Sequence, residues 1–381
     1  MKYKMLTLLL ALGFLMSPAW SQEAYSTEGK KSWEIISWAS PTGDMAPYFS
    51  TLYGLKAFIA FMKERGGSQY RTIELSTLEI DDSKKNFLFN LDTLFMEVKP
   101  QLIVGGACHP HAKEIADYFR RFSIPWFGPW SDAPELFNGS DTDPIALLPS
   151  EPAQFELLLA YAKQYSPEGR EVYLIVESGA PSDASAALAR AKARSLDIDL
   201  KVVTLAPDFR LQANMENLIP NAGTVILWLS QGKAAAFRRY LDKSTAYDTI
   251  WMSGAILPPS RELIRLSGGT WVGTVFPAIL HPSEEIPLAH KTVLEKYSQP
   301  GLSHNYLTYL GFAQGQLMAK ALAQVAKDDI TSANEIALRL KEMDFSGTIK
   351  SGTKLPFGPN DYTSSYLAVV GMDGTWYPAE F

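Results

Sequence analysis

Two short stretches of this 381-residue chain hold side chains that could do chemistry. Cys108-His109-Pro110-His111 offers a thiol and two imidazoles, and Trp130-Ser131-Asp132 offers an indole, a hydroxyl and a carboxylate. A thiol with two imidazoles is a suitable ligand set for copper or zinc. A cysteine near a histidine also has the makings of a nucleophile and its base. Imidazole, indole and carboxylate together could instead grip an organic solute. Metal would need Cys108, His109 and His111 to converge on one ion, which the intervening Pro110 and the tight turn make awkward. Catalysis would need a third group to orient the base, and none is evident. The sequence also has no Gly-x-Ser-x-Gly elbow and no glycine-rich phosphate loop. Binding is therefore favoured over catalysis. No cofactor, resident metal or catalytic residue is expected.

These stretches need elements to hold them, and residues 101–136 supply the pattern. They run apolar strand, glycine turn, polar loop, amphipathic helix, second strand, second loop. In an open parallel α/β sheet, ligands bind just beyond the carboxyl ends of the strands, where amides and helix N-termini are unpaired. The same rhythm covers the chain. Strand 33–38, helix 50–65, strand 71–80, helix 86–98 and strand 102–104 come before the loops; strand 172–176, helix 185–195, strands 200–205 and 224–229, helix 234–241 and strand 249–252 come after them. A second parallel sheet is expected from that alternation. A long apolar-faced helix over 305–325, a helix opening at the capping-box residues Ser332 to Glu335, and short terminal strands complete the reading. The irregular stretch 137–152, rich in Asp, Ser and Pro, is the expected boundary between lobes.

The N-terminus carries an address. Lys2 and Lys4 precede an uncharged apolar run from 5 to 16, then Ala19-Trp20-Ser21 places small residues at the −3 and −1 positions of a cleavage site after Ser21. This pattern is a secretory signal peptide. No other segment approaches the roughly 20 apolar residues of a transmembrane helix. Cys108 is the only cysteine, so no internal disulfide can form and no lipidated cysteine marks the cleavage point. The periplasm fits best. About 360 residues would remain, more than one core usually serves, so two lobes are expected. Net charge is −6 with mixed signs and no basic run, which argues against a nucleic-acid partner.

With these features the chain resembles the type I periplasmic binding proteins of ABC importers, in the leucine/isoleucine/valine-binding branch. The resemblance rests on the helix ending Lys63-Glu-Arg-Gly66-Gly67, the strand and loop 103–111, Phe127-Gly128-Pro129 followed by Ala133-Pro134-Glu135-Leu136, Tyr309-Leu-Gly311-Phe, and the terminal stretch from Phe345-Ser-Gly347 to Asp373-Gly374-Thr375-Trp376. It implies two Rossmann-like lobes with parallel sheets joined by a three-strand hinge. One lobe would comprise 30–150 plus 281–345, and the other 151–280 plus 346–381. The implied function is capture of a small organic solute between the lobes and delivery to a permease in the inner membrane by a monomer.

Carried over position by position, the family's serine-rich ligand loop falls on Cys108, His109, Pro110 and His111, and its second loop on Trp130, Ser131 and Asp132. Tyr48 falls near an aromatic that covers the ligand. From the other lobe, the corresponding positions are Pro181 and Ser182, Ser230 and Gln231, and Gly254 and Ala255, where the family's ammonium-binding carboxylate is missing. A buried ammonium without its anion would cost several kcal/mol. The expected cargo is thus not a standard branched-chain amino acid but an aromatic or otherwise apolar solute, with Trp130, Trp228 and Trp251 as candidate walls. Two alternatives stand beside it: a ligand-sensing receptor for a membrane signalling protein, and a periplasmic soft-metal binding protein.

Overall fold

Strands covered on both faces read as continuous apolar runs, because helices lie on each side of a parallel sheet. β1 (Ser32–Ala39), β2 (Thr72–Glu79), β3 (Leu102–Val104) and β4 (Trp126–Phe127) form such a sheet, wholly parallel, in the order β2-β1-β3-β4. The computed structural model describes residues 32–42, 46–65, 71–79, 87–106, 112–131, 136, 144–206, 208, 215–241, 249–279, 288–298, 305–328, 333–342 and 366–379. The expected signal peptide and the loop 107–111 lie outside them.

Alternation along β1 sends its side chains into two cores. Ile36 and Trp38 join Leu91, Phe95, Ile115, Phe119 and Trp126 under the Phe87–Val98 and Ala112–Phe122 helices. Trp33 and Ile35 face the opposite way, toward the Phe49–Glu64 and Tyr306–Lys327 helices. Those two helices cross in unusually close contact. A Cβ on Gly54 would lie 1.8 Å from the Thr308 carbonyl oxygen, and one on Gly311 would lie 1.9 Å from that of Thr51. Each glycine admits the other helix's backbone, so neither position tolerates a side chain.

The second sheet has seven strands: β5 (Glu171–Glu177), β6 (Leu200–Leu205), β7 (Ala222–Trp228), β8 (Ile250–Ser253), β9 (Val275–Ala278), β10 (Tyr366–Val370) and β11 (Trp376–Pro378), in the order β11-β10-β9-β8-β7-β5-β6. β5 to β9 are parallel, and β10 runs antiparallel to both neighbours. One face packs under the Glu151–Tyr165 and Ala180–Ser195 helices through Leu174, Val176, Ile226 and Met252. The other face sends Ile175, Val225 and Leu227 into the same cluster that receives Trp33 and Ile35 of the first sheet. A single apolar core therefore runs from one sheet to the other.

Residues 144–150 carry the chain across. Ile145 forms a parallel bridge to Phe127 at the edge of the first sheet, accepts from the Gly128 amide and donates to Trp126 O. Six residues later the Glu151–Tyr165 helix begins against the second sheet. The stretch read as irregular is thus partly an added edge segment.

Candidate ligand-binding site

The carboxyl ends of the two parallel sheets meet at a seam. From the first sheet, Tyr48 ends a short turn (Ala46–Tyr48) and Trp130 follows β4. Their rings stack at 5.8 Å with planes 20° apart, and each side chain is about 1% exposed. The Trp130 amide donates to Gly106 O at 3.0 Å, which joins the loops after β3 and β4. Gly105 and Gly106 both have positive φ, and a Cβ on Gly106 would enter the Trp38 ring. Glycine is required for the chain to pass there. Gln314, on the Tyr306–Lys327 helix, fixes the next loop by donating to Phe127 O and Gly128 O.

From the second sheet, Tyr48 is met directly: its hydroxyl donates to Ala255 O at 2.9 Å, wholly buried. Ala255 lies in the turn after β8, whose amide donates to Gln154 Oε1 at 2.7 Å. Beside it, Trp228 at the end of β7 packs on Phe155 with ring centroids 4.4 Å apart, and its Nε1 donates to Glu151 Oε1 at 3.3 Å. Ser185 donates to the same oxygen at 2.8 Å. A Cβ on Gly254 would come within 2.7 Å of the Trp228 ring, so the glycine lets the indole lie across the turn. Trp228 is only half-buried. Glu177, ending β5, accepts from the Ser230 amide and from Lys233 Nζ, each at 2.6 Å. Burial pushes the Glu177 carboxyl up, but the Lys233 and Ser230 hydrogen bonds outweigh it and hold its pKa below the ordinary value.

The sequence-predicted residues divide accordingly. Tyr48, Trp130, Gly254 and Ala255 come together at the seam, and Ser131 is buried next to Trp130. Ser230 is tied to Glu177, while Gln231 is 3% exposed with neither amide atom paired among the described residues. Ser182 sits in the first turn of the Ala180–Ser195 helix, where a loop was expected. Cys108, His109, His111 and Asp132 lie outside the described residues. Trp251 is core, with the Arg238 guanidinium 4.5 Å over its ring. Sequence reasoning missed Glu151, Gln154, Glu177 and Gln314. Only their position, at a helix start or strand end, could have marked the first three.

Among the described residues no group of three or more His, Cys, Asp or Glu side chains could hold a metal ion. None of the described helices is long and apolar enough to cross a membrane. A surface depression lined by Arg190, Ala193, Arg194, Ile198, Asp199 and Leu200 lies at the amino end of β6, away from the seam.

No family model matches the sequence, and no curated protein sequence matches it. Solved structures do match. A possible leucine/isoleucine/valine-binding protein from Rhodopirellula baltica SH 1 superposes with a TM-score of 0.74 at 16% identity, covering 96% of this chain and 98% of that one. A periplasmic binding protein type 1 from Bordetella pertussis Tohama I gives 0.69 at 10% identity, covering 92% and 100%. The fold is that of the type I periplasmic binding proteins. A fatty acid ABC transporter substrate-binding protein from Thermomonospora curvata shares the fold as well, with a TM-score of 0.73 at 12% identity over 93% of each chain. The seam described above is bounded by strand ends of both sheets.

Proposed function

We propose that this protein is a periplasmic solute-binding protein that captures a small organic molecule between its lobes and hands it to an ABC-type permease, without catalysis. The observation that carries the reading is the opposition of two parallel sheets by their carboxyl edges, with aromatic and hydrogen-bonding side chains at the seam. Unpaired backbone at such edges is where α/β folds bind ligands. Proteins of the same fold serve varied cargo by name: fatty acid for the Thermomonospora curvata protein, valine bound in a branched chain amino acid ABC transporter protein from Thermus thermophilus, and p-hydroxybenzoic acid bound in a solute binding protein from Rhodopseudomonas palustris HaA2.

For this chain we favour an aromatic or apolar solute. Trp228 offers a half-open indole, and Glu177 is already neutralised by Lys233. The lobes would interleave, 30–150 plus 281–345 against 151–280 plus 346–381. Support comes from residues 366–378 pairing into the second sheet and from the Tyr306–Lys327 helix packing on Phe49–Glu64. Tyr48, Gly254 and Ala255 would then line the base of the cleft, with His109, His111, Cys108, Asp132, Ser182, Ser230 and Gln231 around it.

A thermal-shift screen of the mature protein against aromatic acids, amino acids, fatty acids, Cu²⁺ and Zn²⁺ tests this. A ligand that binds only the native state raises its apparent stability, by about 2.7 kcal/mol at a hundredfold excess over Kd. Stabilisation by an organic compound is expected. Stabilisation by metal alone, abolished in His109→Ala, would overturn the reading.

A further inference from the structure

The second sheet has one place where its connections part. β5 lies between β6 and β7; the chain leaves β5 for β6 on one side and leaves β7 for β8 on the other. The Ala180–Ser195 helix after β5 packs on one face of the sheet, and the Gln231–Leu241 helix after β7 packs on the opposite face. Loops that diverge in this way leave a crevice at the carboxyl ends of the strands, where open α/β sheets hold their ligands. The polar and aromatic residues there are Glu177 at the end of β5, and Trp228, Ser230, Gln231 and Lys233 at and just after the end of β7. Glu177 and Lys233 are joined at 2.6 Å, and Glu177 also accepts from the Ser230 amide. The indole N–H of Trp228 is held by Glu151, which leaves a half-buried ring. Gln231 differs from all of these. Its side chain is 3% exposed, on the same helix face as Ala234 and Ala235, and neither Oε1 nor Nε2 has a partner among the described residues. Each such atom bears a full desolvation penalty, so the fold would be more stable with an apolar side chain in its place.

We infer that Gln231 is a specificity-determining residue, and that the cargo it selects carries an uncharged amide. A carboxamide presents one acceptor beside one donor, so the group that satisfies both at once presents a donor beside an acceptor, as the edge of another carboxamide or of a lactam does. A carboxylate offers acceptors only: it could take a hydrogen bond from Nε2 but would set an oxygen against Oε1. An ammonium offers donors only and would leave Nε2 unmatched. Charge discriminates in the same direction. The Glu177–Lys233 pair is closed on itself, which leaves neither member unpaired to attract an anion or a cation. The Trp228 ring supplies an apolar surface for the remainder of the molecule, whether ring or acyl chain. Sites built to hydrogen-bond a particular group reject analogues that lack it far more strongly than apolar pockets reject a missing methylene. This inference rests on the reading of the protein as a solute receptor and narrows its cargo, within aromatic or apolar solutes, to their amides.

Matched pairs of probes test it: benzamide against benzoate, and butyramide against butyrate, by thermal shift and calorimetric titration. The mature protein is compared with Gln231→Met and Gln231→Leu. Without solute, both variants should melt at or above the temperature of the unaltered protein, because an apolar side chain of similar volume replaces two unpaired buried atoms. An amide should raise the Tm of the unaltered protein where its matched carboxylate does not. In Gln231→Met the Kd of that amide should rise by about tenfold or more, as the loss of two neutral hydrogen bonds implies. A lower solute-free Tm in both variants would show that Gln231 serves the fold, and overturns the inference. A carboxylate that binds while its amide does not, or an amide shift that survives both substitutions, overturns it as well. If another organic solute from the wider screen binds and neither amide does, this inference fails and the receptor reading stands; no shift with any organic compound overturns both.

Discussion

Trp228 and Trp130 illustrate how two tryptophans at strand ends divide their work. Trp228 is half-buried and held by Phe155, Glu151 and the absent side chain of Gly254. Trp228→Ala should raise the Kd of a solute identified in the screen by about tenfold, equivalent to ~1.4 kcal/mol, in a calorimetric titration. Trp130 is 1% exposed, so Trp130→Ala should instead lower unfolding free energy by about 3–5 kcal/mol in urea. Glu177 gives a pH signature. Its folded pKa is below the unfolded value near 4.5, so the ion pair stabilises the fold above that value and the contribution fades as pH falls through the folded pKa. The Tm difference between the natural protein and Glu177→Gln should accordingly be largest at neutral pH and shrink below about pH 4.5; a constant difference would deny the ion pair that role. Trp130 was recognisable in the sequence as an aromatic just past a strand and Tyr48 only through the family resemblance, but their stacking was not recognisable, because it joins segments far apart in the chain. Gln154 was not recognisable at all. A glutamine early in a helix reads as solvated, and only the turn at 254 makes it a buried relay.

At the scale of elements, the runs with both faces covered were the easiest to recognise. Residues 172–176 of β5 are buried throughout, and the continuous apolar stretch announces it. Helix starts were harder. The Ala180–Ser195 and Gln231–Leu241 helices begin five and three residues earlier than the pattern predicts, because Pro181, Ser182 and Gly232 read as loop residues. A proline in the first helical turn loses no hydrogen bond, so that signal was misleading there. The close crossing of Phe49–Glu64 on Tyr306–Lys327 depends on one glycine from each helix. Gly311→Ala should cost about 3 kcal/mol or unfold the protein, read by urea denaturation, since its Cβ would meet rigid backbone rather than a side chain that can turn away. His290 sits beside that pair, its Nδ1 3.2 Å from the Tyr309 hydroxyl. Burial pulls its pKa below the usual 6.5, which favours the neutral ring in the folded state. Acidification below about pH 6.5 should then destabilise the protein, and His290→Gln should flatten that part of the Tm–pH curve.

For the whole molecule, the core that runs from the first sheet into the second predicts one cooperative unfolding event. Differential scanning calorimetry should show a single transition with calorimetric and van't Hoff enthalpies in agreement; two resolved transitions would mean that the lobes melt separately. The two-sheet plan was legible from alternation alone, whereas the sharing of one core was not, since it depends on which faces the crossover segment turns toward each other. The glycine-mediated helix crossing also bears on the order of assembly. The face of the first sheet built around Trp33 and Ile35 is covered in part by a helix that lies beyond residue 305 in the chain. A nascent chain that has emerged only as far as β9 still lacks that cover, and such distant contacts form slowly. Late completion of this kind leaves one face of the first sheet without its helix cover until more than three quarters of the chain has been made.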